Sequence, residues 1–269
     1  INPNNIFCYY VKKPILKKLF FLSIFFIFLS QEGKANIFDN LRNQGPKKTD
    51  IYTYIDKTTK FLNTRWYNDE DLKVAKRPPQ ILPIAADAKV YGGCGDYSMG
   101  AEVGGSAYCP RTHTIFLVPE QLQYFADEFG PSAVAFVVAH EYAHAVQLAF
   151  GILVTLKDPA LELQADCIAG AFIKDGSSEI GITRQDTLDM ANLAYAIGDP
   201  THGSGAQRKY ALSAGMGIID YGCTNKEMED LGNNKIDTSI VSAQRSIDSK
   251  LDLNLTPYPK TIVGSFKKN

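Results

Sequence analysis

Two histidines and a glutamate are spaced so that they could hold and use a metal ion. His140 and His144 are four residues apart, so on a helix both imidazoles project from the same face, one turn from each other. Glu141 falls about 100° round the helix, where its carboxylate can reach a metal-bound water without itself binding the metal. This H-E-x-x-H spacing is the one that zinc hydrolases use. It predicts a zinc site with Glu141 as the general base.

A third protein ligand must come from elsewhere in the chain, and Glu162 is the first candidate. It heads a second helical stretch, and Asp166 follows four residues later on the same side. Zinc held by His140, His144 and Glu162 would keep one position open for water, as catalytic sites do. We expect one Zn2+ per chain, with Asp166 accepting a hydrogen bond from a ligand imidazole. A second arrangement, with Asp166 as the third ligand, stays open.

Two helices must position these residues. Apolar periodicity predicts the first over 133–150, and Gly151 ends it. An Asp-Pro pair and a closing glycine predict the second over 158–176. The short link between them favours antiparallel neighbours, which would bring the start of the second helix near the metal side of the first.

The remaining patterns predict an α+β fold that is mostly helical, with a small β-sheet beside the active-site helix. Further helices are predicted over 50–71, 121–129 and 183–197, and short strands over 81–84, 88–91 and 114–118. The last strand is our candidate for the edge strand to which a peptide substrate adds in zinc peptidases. The same pattern also fits an ordinary half-buried strand.

Two further histidines complete the four in the chain. His202 lies in a glycine-rich loop that opens a helix, where a donor could stabilise the oxyanion of a tetrahedral intermediate. A role as a loop residue or helix cap fits the same pattern. His113 precedes a strand, and we expect it to be structural.

The N-terminus differs from the rest of an ordinary globular composition. The 269 residues carry a net charge of −1 and are 45% apolar, which argues against a nucleic-acid partner. Four lysines between positions 12 and 18 precede the apolar run 19–29, and small residues follow at 33 and 35. This is the pattern of a signal peptide, with an uncleaved membrane anchor or a buried helix as alternatives. We expect export, with membrane association through this segment if it is retained.

Export would allow the cysteines to pair. Cys8 lies in the leader, which leaves four others and three possible pairings. We favour Cys94–Cys109 and Cys167–Cys223, with free buried thiols as the alternative.

The patterns divide the chain into four parts. We predict a signal peptide or membrane anchor over 1–35, a linker over 36–50, a metallopeptidase domain over 51–231 and a polar C-terminal extension over 232–269.

Six short motifs together resemble the bacterial zincin family called "putative neutral zinc metallopeptidase", which is gluzincin-like and exported or membrane-anchored. They span roughly residues 80–225 and are, in order, Cys94-Gly95, Tyr108-Cys109-Pro110, His140–Gln147, Glu162–Cys167, Ala196–Asp199 and His202–Arg208. The resemblance implies that His140 and His144 bind zinc, that Glu141 is catalytic, and that the His202–Arg208 segment belongs to the site region. It also implies a location in the bacterial periplasm or cell envelope.

The chain departs from the usual family pattern at two positions. Ala143 and Ala145 stand where the family usually has Gly and His. The N-terminal strands of the family are also often longer than those predicted for this chain. Neither departure touches a proposed ligand.

Together these features predict a zinc metallopeptidase, an endopeptidase that acts on a peptide or protein substrate. Two alternatives stay open. One is an exported, zinc-stabilised binding or adaptor protein without proteolytic activity, although such a site would have no use for Glu141 and would close its fourth position with a protein ligand such as cysteine. The other is a lipid or peptidoglycan hydrolase that uses the same zinc chemistry.

Overall fold

The computed structural model describes residues 50–72, 77–90, 101–102 and 105–243, and its fold is α+β and mostly helical, as the sequence predicts. The strands are β1 (Gln80–Pro83), β2 (Lys89–Val90), β3 (Ala101–Glu102), β4 (Ala107–Cys109) and β5 (Thr114–Leu117). The helices are α1 (Ile51–Asn68), α2 (Pro119–Phe129), α3 (Ser132–Ala149), α4 (Ala160–Asp175), α5 (Ser177–Ile180), α6 (Arg184–Ala196), α7 (Gly205–Gly215), α8 (Asn225–Gly232) and α9 (Ile240–Ala243), with a 3-10 turn at Ile152–Val154.

Several predictions fall on residues outside these ranges. They are the leader (1–35), almost all of the linker (36–50), Cys94 and most of the C-terminal extension (244–269). The domain boundaries therefore stay predictions. Within the described ranges, no helix combines the length and the hydropathy that crossing a bilayer requires.

Helix α3, which carries the H-E-x-x-H motif, runs through the centre of the molecule. Every residue from 132 to 147 is buried, and α1, α2, α4 and α6 pack around it. A helix surrounded in this way is apolar on nearly all sides, so the motif's polar residues are the exception on its surface. The packing against α1 includes an edge-on contact between the rings of Trp66 and Tyr142, whose centroids are 5.7 Å apart.

Local signals set the ends of the helices. Helices α6, α7 and α8 each begin with a capping box, formed by Thr183 with Asp186, Ser204 with Gln207, and Thr224 with Glu227. Helix α4 begins at Ala160 with Pro159 in the N-cap position, one residue later than the predicted N-cap Asp158. A difference of one or two residues is usual at a helix end.

Helices α4 and α7 approach each other closely because both present a glycine at the contact. A Cβ atom on Gly170 would lie 2.4 Å from the carbonyl oxygen of Leu212, and one on Gly215 would lie 1.8 Å from that of Cys167. Any side chain at either position would push the helices apart. This approach brings the start of α7, and with it Arg208, against Asp166 on α4.

The sheet corrects one prediction. Its strand order is β1-β5-β4, with β5 parallel to β1 and antiparallel to β4. The prediction of residues 114–118 as the substrate-binding edge strand is therefore wrong, because β5 is paired on both sides and all four of its residues are buried. Among the described residues, β4 is the edge of this sheet that adjoins α3, since the Tyr108 N–H donates to Glu141.

One predicted disulfide is confirmed. Cys167 on α4 is bonded to Cys223, which lies just before α8, with 5.7 Å between their Cα atoms. Cys109 is also disulfide-bonded. Its predicted partner Cys94 lies outside the described residues, so that pairing stays a prediction.

Candidate active site

The structure brings the three predicted metal ligands together. Helix α3 presents His140 and His144 on one face, and the first turn of α4 places Glu162 opposite them. The Nε2 atoms of His140 and His144 lie 3.2 and 3.5 Å from Glu162 Oε2. All three side chains are buried, and one donor atom from each lies within 4.8 Å of the others.

The geometry of this cluster fits a zinc ion. Both carboxylate oxygens of Glu162 are buried without a hydrogen-bond partner among the described residues. A buried carboxylate in that condition is costly unless a cation compensates it. Ligand atoms around a tetrahedral zinc are about 3.3 Å apart, given bonds of about 2.0–2.1 Å. The observed separations of 3.2 and 3.5 Å agree with that spacing.

The electrostatics of the cluster favour a bound positive charge. Burial alone would raise the pKa of Glu162, but His144 and His140 hold that pKa well below its usual range. Burial alone would lower the pKa of His140, but its hydrogen bond to Asp166 and the nearby carboxylate of Glu162 raise that pKa to about 10. The cluster thus keeps an anionic ligand and attracts a cation, either a proton or a metal ion.

The orientation of His140 is set by a buried ion pair. Its Nδ1 lies 2.8 Å from Asp166 Oδ1, as the sequence predicts for a ligand imidazole. Arg208 holds the same carboxylate with two bonds of 2.8 Å, from Nε to Oδ2 and from Nη2 to Oδ1. Burial would raise the pKa of Asp166, but Arg208 holds it below its usual value. The ionised carboxylate accepts the Nδ1 proton, which leaves the Nε2 lone pair of His140 facing Glu162.

The orientation of His144 is set by neutral amides. Its Nδ1 lies 2.8 Å from Gln147 Oε1, an atom that can only accept, so Nδ1 carries the proton. Gln147 Nε2 donates to the carbonyl of Leu161 and to Gln164 Oε1. Gln164 Nε2 in turn donates to the carbonyl of Cys223 and to Asn225 Oδ1. His144 therefore also presents its Nε2 lone pair to the cluster.

Glu141 lies beside the three ligands and faces the same cleft. Its Oε2 accepts the backbone N–H of Tyr108 on the edge strand β4 at 2.8 Å, which fixes the carboxylate. Burial raises the pKa of Glu141, although the two ligand histidines oppose that shift. A carboxylate with a raised pKa takes up a proton more readily, which suits a general base.

His202 reaches the cleft from the loop before α7. Its Nδ1 lies 2.8 Å from Asp199 Oδ2, and its Nε2 is 3.8 Å from Glu162 Oε2. A second oxygen of Asp199 accepts the backbone N–H groups of Thr201 and His202, which holds the loop in a tight turn. The ring thus stands next to the cluster, outside the group of three whose donor atoms converge.

The cleft around these residues combines one polar end with apolar walls. The volume of the cleft is about 920 Å³, which includes space that is open to solvent. Its charged side chain outside the histidines and glutamates is Arg208, which is paired with Asp166. The histidines and glutamates that line the cleft are His140, Glu141, His144, Glu162 and His202. The large apolar side chains that line it are Phe125, Phe136, Val137, Leu153 and Ile197.

His113 takes no part in the cleft. Its ring is 2.7 Å from the Tyr108 hydroxyl and 2.8 Å from the Arg77 carbonyl, and it rests against Trp66. Burial lowers its pKa. These contacts hold the turn between β4 and β5, which is the structural role expected for it.

Sequence reasoning missed three participants in the site. Gln147 lies three residues after His144, so helical spacing could have identified it as a partner of that ring. Arg208 falls within a family motif, but the sequence does not say that it pairs with Asp166. Tyr108 acts through its backbone N–H, which leaves no signal in a side-chain pattern.

Comparisons with known proteins agree with this site. Residues 86–214 match the family sequence model described as "Putative neutral zinc metallopeptidase". The resemblance that the motifs indicated is confirmed. This match and the buried His140–His144–Glu162 cluster support a zinc hydrolase.

The matching relatives are named as uncharacterized proteins. Uncharacterized protein Rv2575 of Mycobacterium tuberculosis and uncharacterized protein Mb2605 of Mycobacterium bovis are each 32% identical over 179 residues, which covers 52% of this chain and 60% of the relative. Uncharacterized protein YpfJ of Escherichia coli is 29% identical over 124 residues, covering 40% of this chain and 42% of its own. The chain thus spans only part of the length of each relative. No solved structure matches it.

Proposed function

We propose that this protein is a zinc-dependent peptidase in which Glu141 is the general base. The observation that carries the proposal is the convergence of His140, His144 and Glu162 on one point, with the carboxylate of Glu141 beside it in an open cleft. Among the described residues, no cysteine or other fourth protein ligand joins the three. A purely structural zinc site has a closed set of four, so the open cluster favours catalysis over an adaptor role.

Each residue has a definite task in this reaction. Zinc held by His140, His144 and Glu162 would supply Lewis acidity, activating a water and polarising the scissile carbonyl. Glu141 takes the proton of the attacking water at Oε1, because its Oε2 is held by the Tyr108 N–H. It then returns the proton to the leaving amine.

We further propose that His202 stabilises developing negative charge. Because Nδ1 donates to Asp199, a neutral His202 has only a lone pair at Nε2. As the imidazolium, with Asp199 as its counter-ion, it can donate from Nε2 to an oxyanion in the cleft. Its 3.8 Å distance from Glu162 Oε2 supports a place at the edge of the reacting centre.

We infer that the substrate is a peptide or protein chain bound in an extended conformation. The support is the position of β4, which among the described residues is the edge of the sheet next to Glu141, since edge strands bind peptides by strand addition. The Cys167–Cys223 disulfide supports export to an oxidising compartment such as the bacterial periplasm. Membrane association through the N-terminal segment remains part of this proposal.

The test compares the purified protein with its Glu141→Gln variant. We expect one zinc per chain in both, measured by inductively coupled plasma mass spectrometry, and cleavage of a mixed peptide library by the wild type alone. Glutamine keeps the size of the side chain but cannot accept the proton, so turnover should fall by a factor of 100 or more, about the contribution of a positioned general base.

Each other outcome changes the conclusion in its own way. Zinc in both proteins with cleavage in neither would favour a binding role or a non-peptide substrate. Undiminished cleavage by Glu141→Gln would remove Glu141 from the mechanism. No zinc in either protein would overturn the metal site. Glu128→Gln, an exposed change on α2, is the matched control and should leave turnover unchanged.

A further inference from the structure

The backbone of the edge strand offers two N–H groups towards the cleft, and side chains occupy both. Residues that alternate along an antiparallel strand point their N–H groups to the same side. The N–H of Tyr108 donates to Glu141 Oε2, and the N–H of Ser106, two residues earlier, donates to Gln121 Oε1, each at 2.8 Å. Tyr108 lies in β4 and Ser106 immediately precedes this strand, so both bonds lie on the side that faces away from β5.

The two side chains that accept these N–H groups differ in whether they can release their hydrogen bond. Glu141 is buried and belongs to the reacting cluster, so its bond to Tyr108 positions the base. Gln121 is a half-buried neutral residue in the first turn of α2, and it lines the cleft. Its side chain can rotate away from the strand without uncovering a buried charge. The Ser106 N–H is thus the donor that an incoming chain can take.

The amide of Gln121 contacts two consecutive residues of the backbone, Gly105 and Ser106. Its amide rests on Gly105, where an added Cβ would come within 2.9 Å of Nε2. The glycine therefore gives the amide room to lie flat against the backbone. A side-chain amide and a peptide carbonyl present the same acceptor oxygen to a backbone N–H.

We propose that the Ser106 N–H is a binding position for a substrate carbonyl, and that Gln121 occupies it in the free protein and is displaced when an extended peptide binds. This inference rests on the proposed function. Gln121 then sets affinity by competing with the substrate for one hydrogen bond, and it takes no part in the chemistry.

The neighbouring wall indicates what kind of peptide binds. Phe125 follows Gln121 by one helical turn on α2, and Phe136 and Val137 of α3 line the same cleft. Apart from the catalytic cluster and the paired Arg208, the lining described by the structure carries no charged side chain. A chain that replaces Gln121 along β4 would therefore carry large apolar side chains.

The experiment measures how peptide affinity responds to Gln121. In Gln121→Ala the Ser106 N–H is free, so KM should fall about two- to tenfold, the value of one net hydrogen bond, while kcat stays unchanged. In Gln121→Glu the carboxylate accepts that N–H more strongly, so KM should rise. Gln123→Ala, on the same helix with its amide bonded to Asp127, is the control and should match the wild type.

A binding measurement separates this inference from the proposed function. The Glu141→Gln protein, with and without Gln121→Ala, is titrated by calorimetry with an acetylated and amidated hexapeptide that has Phe and Leu at its centre. Tighter binding after Gln121→Ala without cleavage by the wild type would sustain the inference and overturn the peptidase. Cleavage by the wild type with affinity unchanged or weaker in Gln121→Ala would sustain the peptidase and overturn the inference. No binding to any variant would overturn both.

A merely structural Gln121 gives a different pattern. If the amide only ties the strand to α2, Gln121→Ala should raise KM and lower the midpoint of thermal unfolding, and Gln121→Glu should resemble the wild type. That pattern would also overturn the inference.

Discussion

The two histidines of the candidate metal site are held in place by different kinds of hydrogen-bond partner. His140 is held through Asp166 and Arg208, a buried carboxylate and guanidinium from α4 and α7. His144 is held through Gln147 and Gln164, two buried amides. On the His140 side, an ion pair joins α4 to α7. On the His144 side the elements are joined by neutral hydrogen bonds and, one turn along α4, by the Cys167–Cys223 disulfide.

The difference shows two ways to hold an imidazole in the same tautomer. A buried ion pair is strong only while both partners are present, because a single buried charge is very costly. A chain of amides leaves no buried charge when one partner is lost. Each neutral hydrogen bond, however, contributes less free energy, and an amide oxygen is a weaker acceptor for the ring than a carboxylate. We therefore expect the His140 side to be sensitive to loss of one partner, and the His144 side to depend more on the disulfide.

The largest effect should come from removing Arg208. In Arg208→Met the carboxylate of Asp166 stays buried without its cation, so the free energy of unfolding should fall by about 3–5 kcal/mol. Urea unfolding of the metal-free protein measures this loss. Arg111→Met, which removes an exposed arginine, should change it by less than about 0.5 kcal/mol. A loss for Arg208→Met no greater than for the control would show that the ion pair does not support the site.

Next in size should be the loss of the disulfide. The bond closes a loop between positions separated by 56 residues, and removing it should cost about 2–4 kcal/mol of unfolding free energy. The Cys167→Ser/Cys223→Ser variant is compared with the oxidised wild type in urea. We expect it to keep one zinc per chain, because neither sulfur belongs to the metal cluster. Loss of zinc would mean that the bond holds the ligands themselves.

The smallest effects should appear in zinc affinity, and they sharpen the comparison directly. Asp166→Asn keeps an acceptor for His140 Nδ1 but removes its charge, and we expect zinc affinity to fall about 10- to 100-fold. Gln147→Met removes the neutral acceptor of His144 Nδ1 together with the amide that donates to the Leu161 carbonyl and Gln164, but no charge, so the loss of zinc affinity should be about tenfold or less. Competition with a zinc chelator gives both constants. Equal losses would show that the charge of the acceptor has no special role.

Much of the site could be predicted from residue types and spacing. The i, i+4 histidines, the adjacent glutamate and the later E-x-x-x-D segment are local patterns, and a helix converts each pattern into a fixed direction. The main helices could be predicted for the same reason, because apolar periodicity and caps are local signals. The Cys167–Cys223 bond belongs to the pairing that the sequence favoured among three possible ones, and the fold confirms it.

The error over the edge strand has a different cause. The run at 114–118 is apolar, and such a run fits both a central strand and a half-buried edge. Which strand lies at the edge depends on how β1 and β4 pair with it, and that pairing joins residues more than thirty positions apart in the case of Gln80 and Thr114. No spacing within one strand contains this information.

The sequence by itself predicted the helix that carries the H-E-x-x-H motif, the candidate general base and the α+β class, because each depends on contacts within a few turns of one segment. Only the tertiary structure decided which groups surround them. The pairing of Arg208 with Asp166, the bond from Tyr108 to Glu141 and the amide of Gln121 on the edge strand all join distant segments. These contacts depend on close packing of helices and strands, and that packing arises from the whole chain rather than from any one part of it.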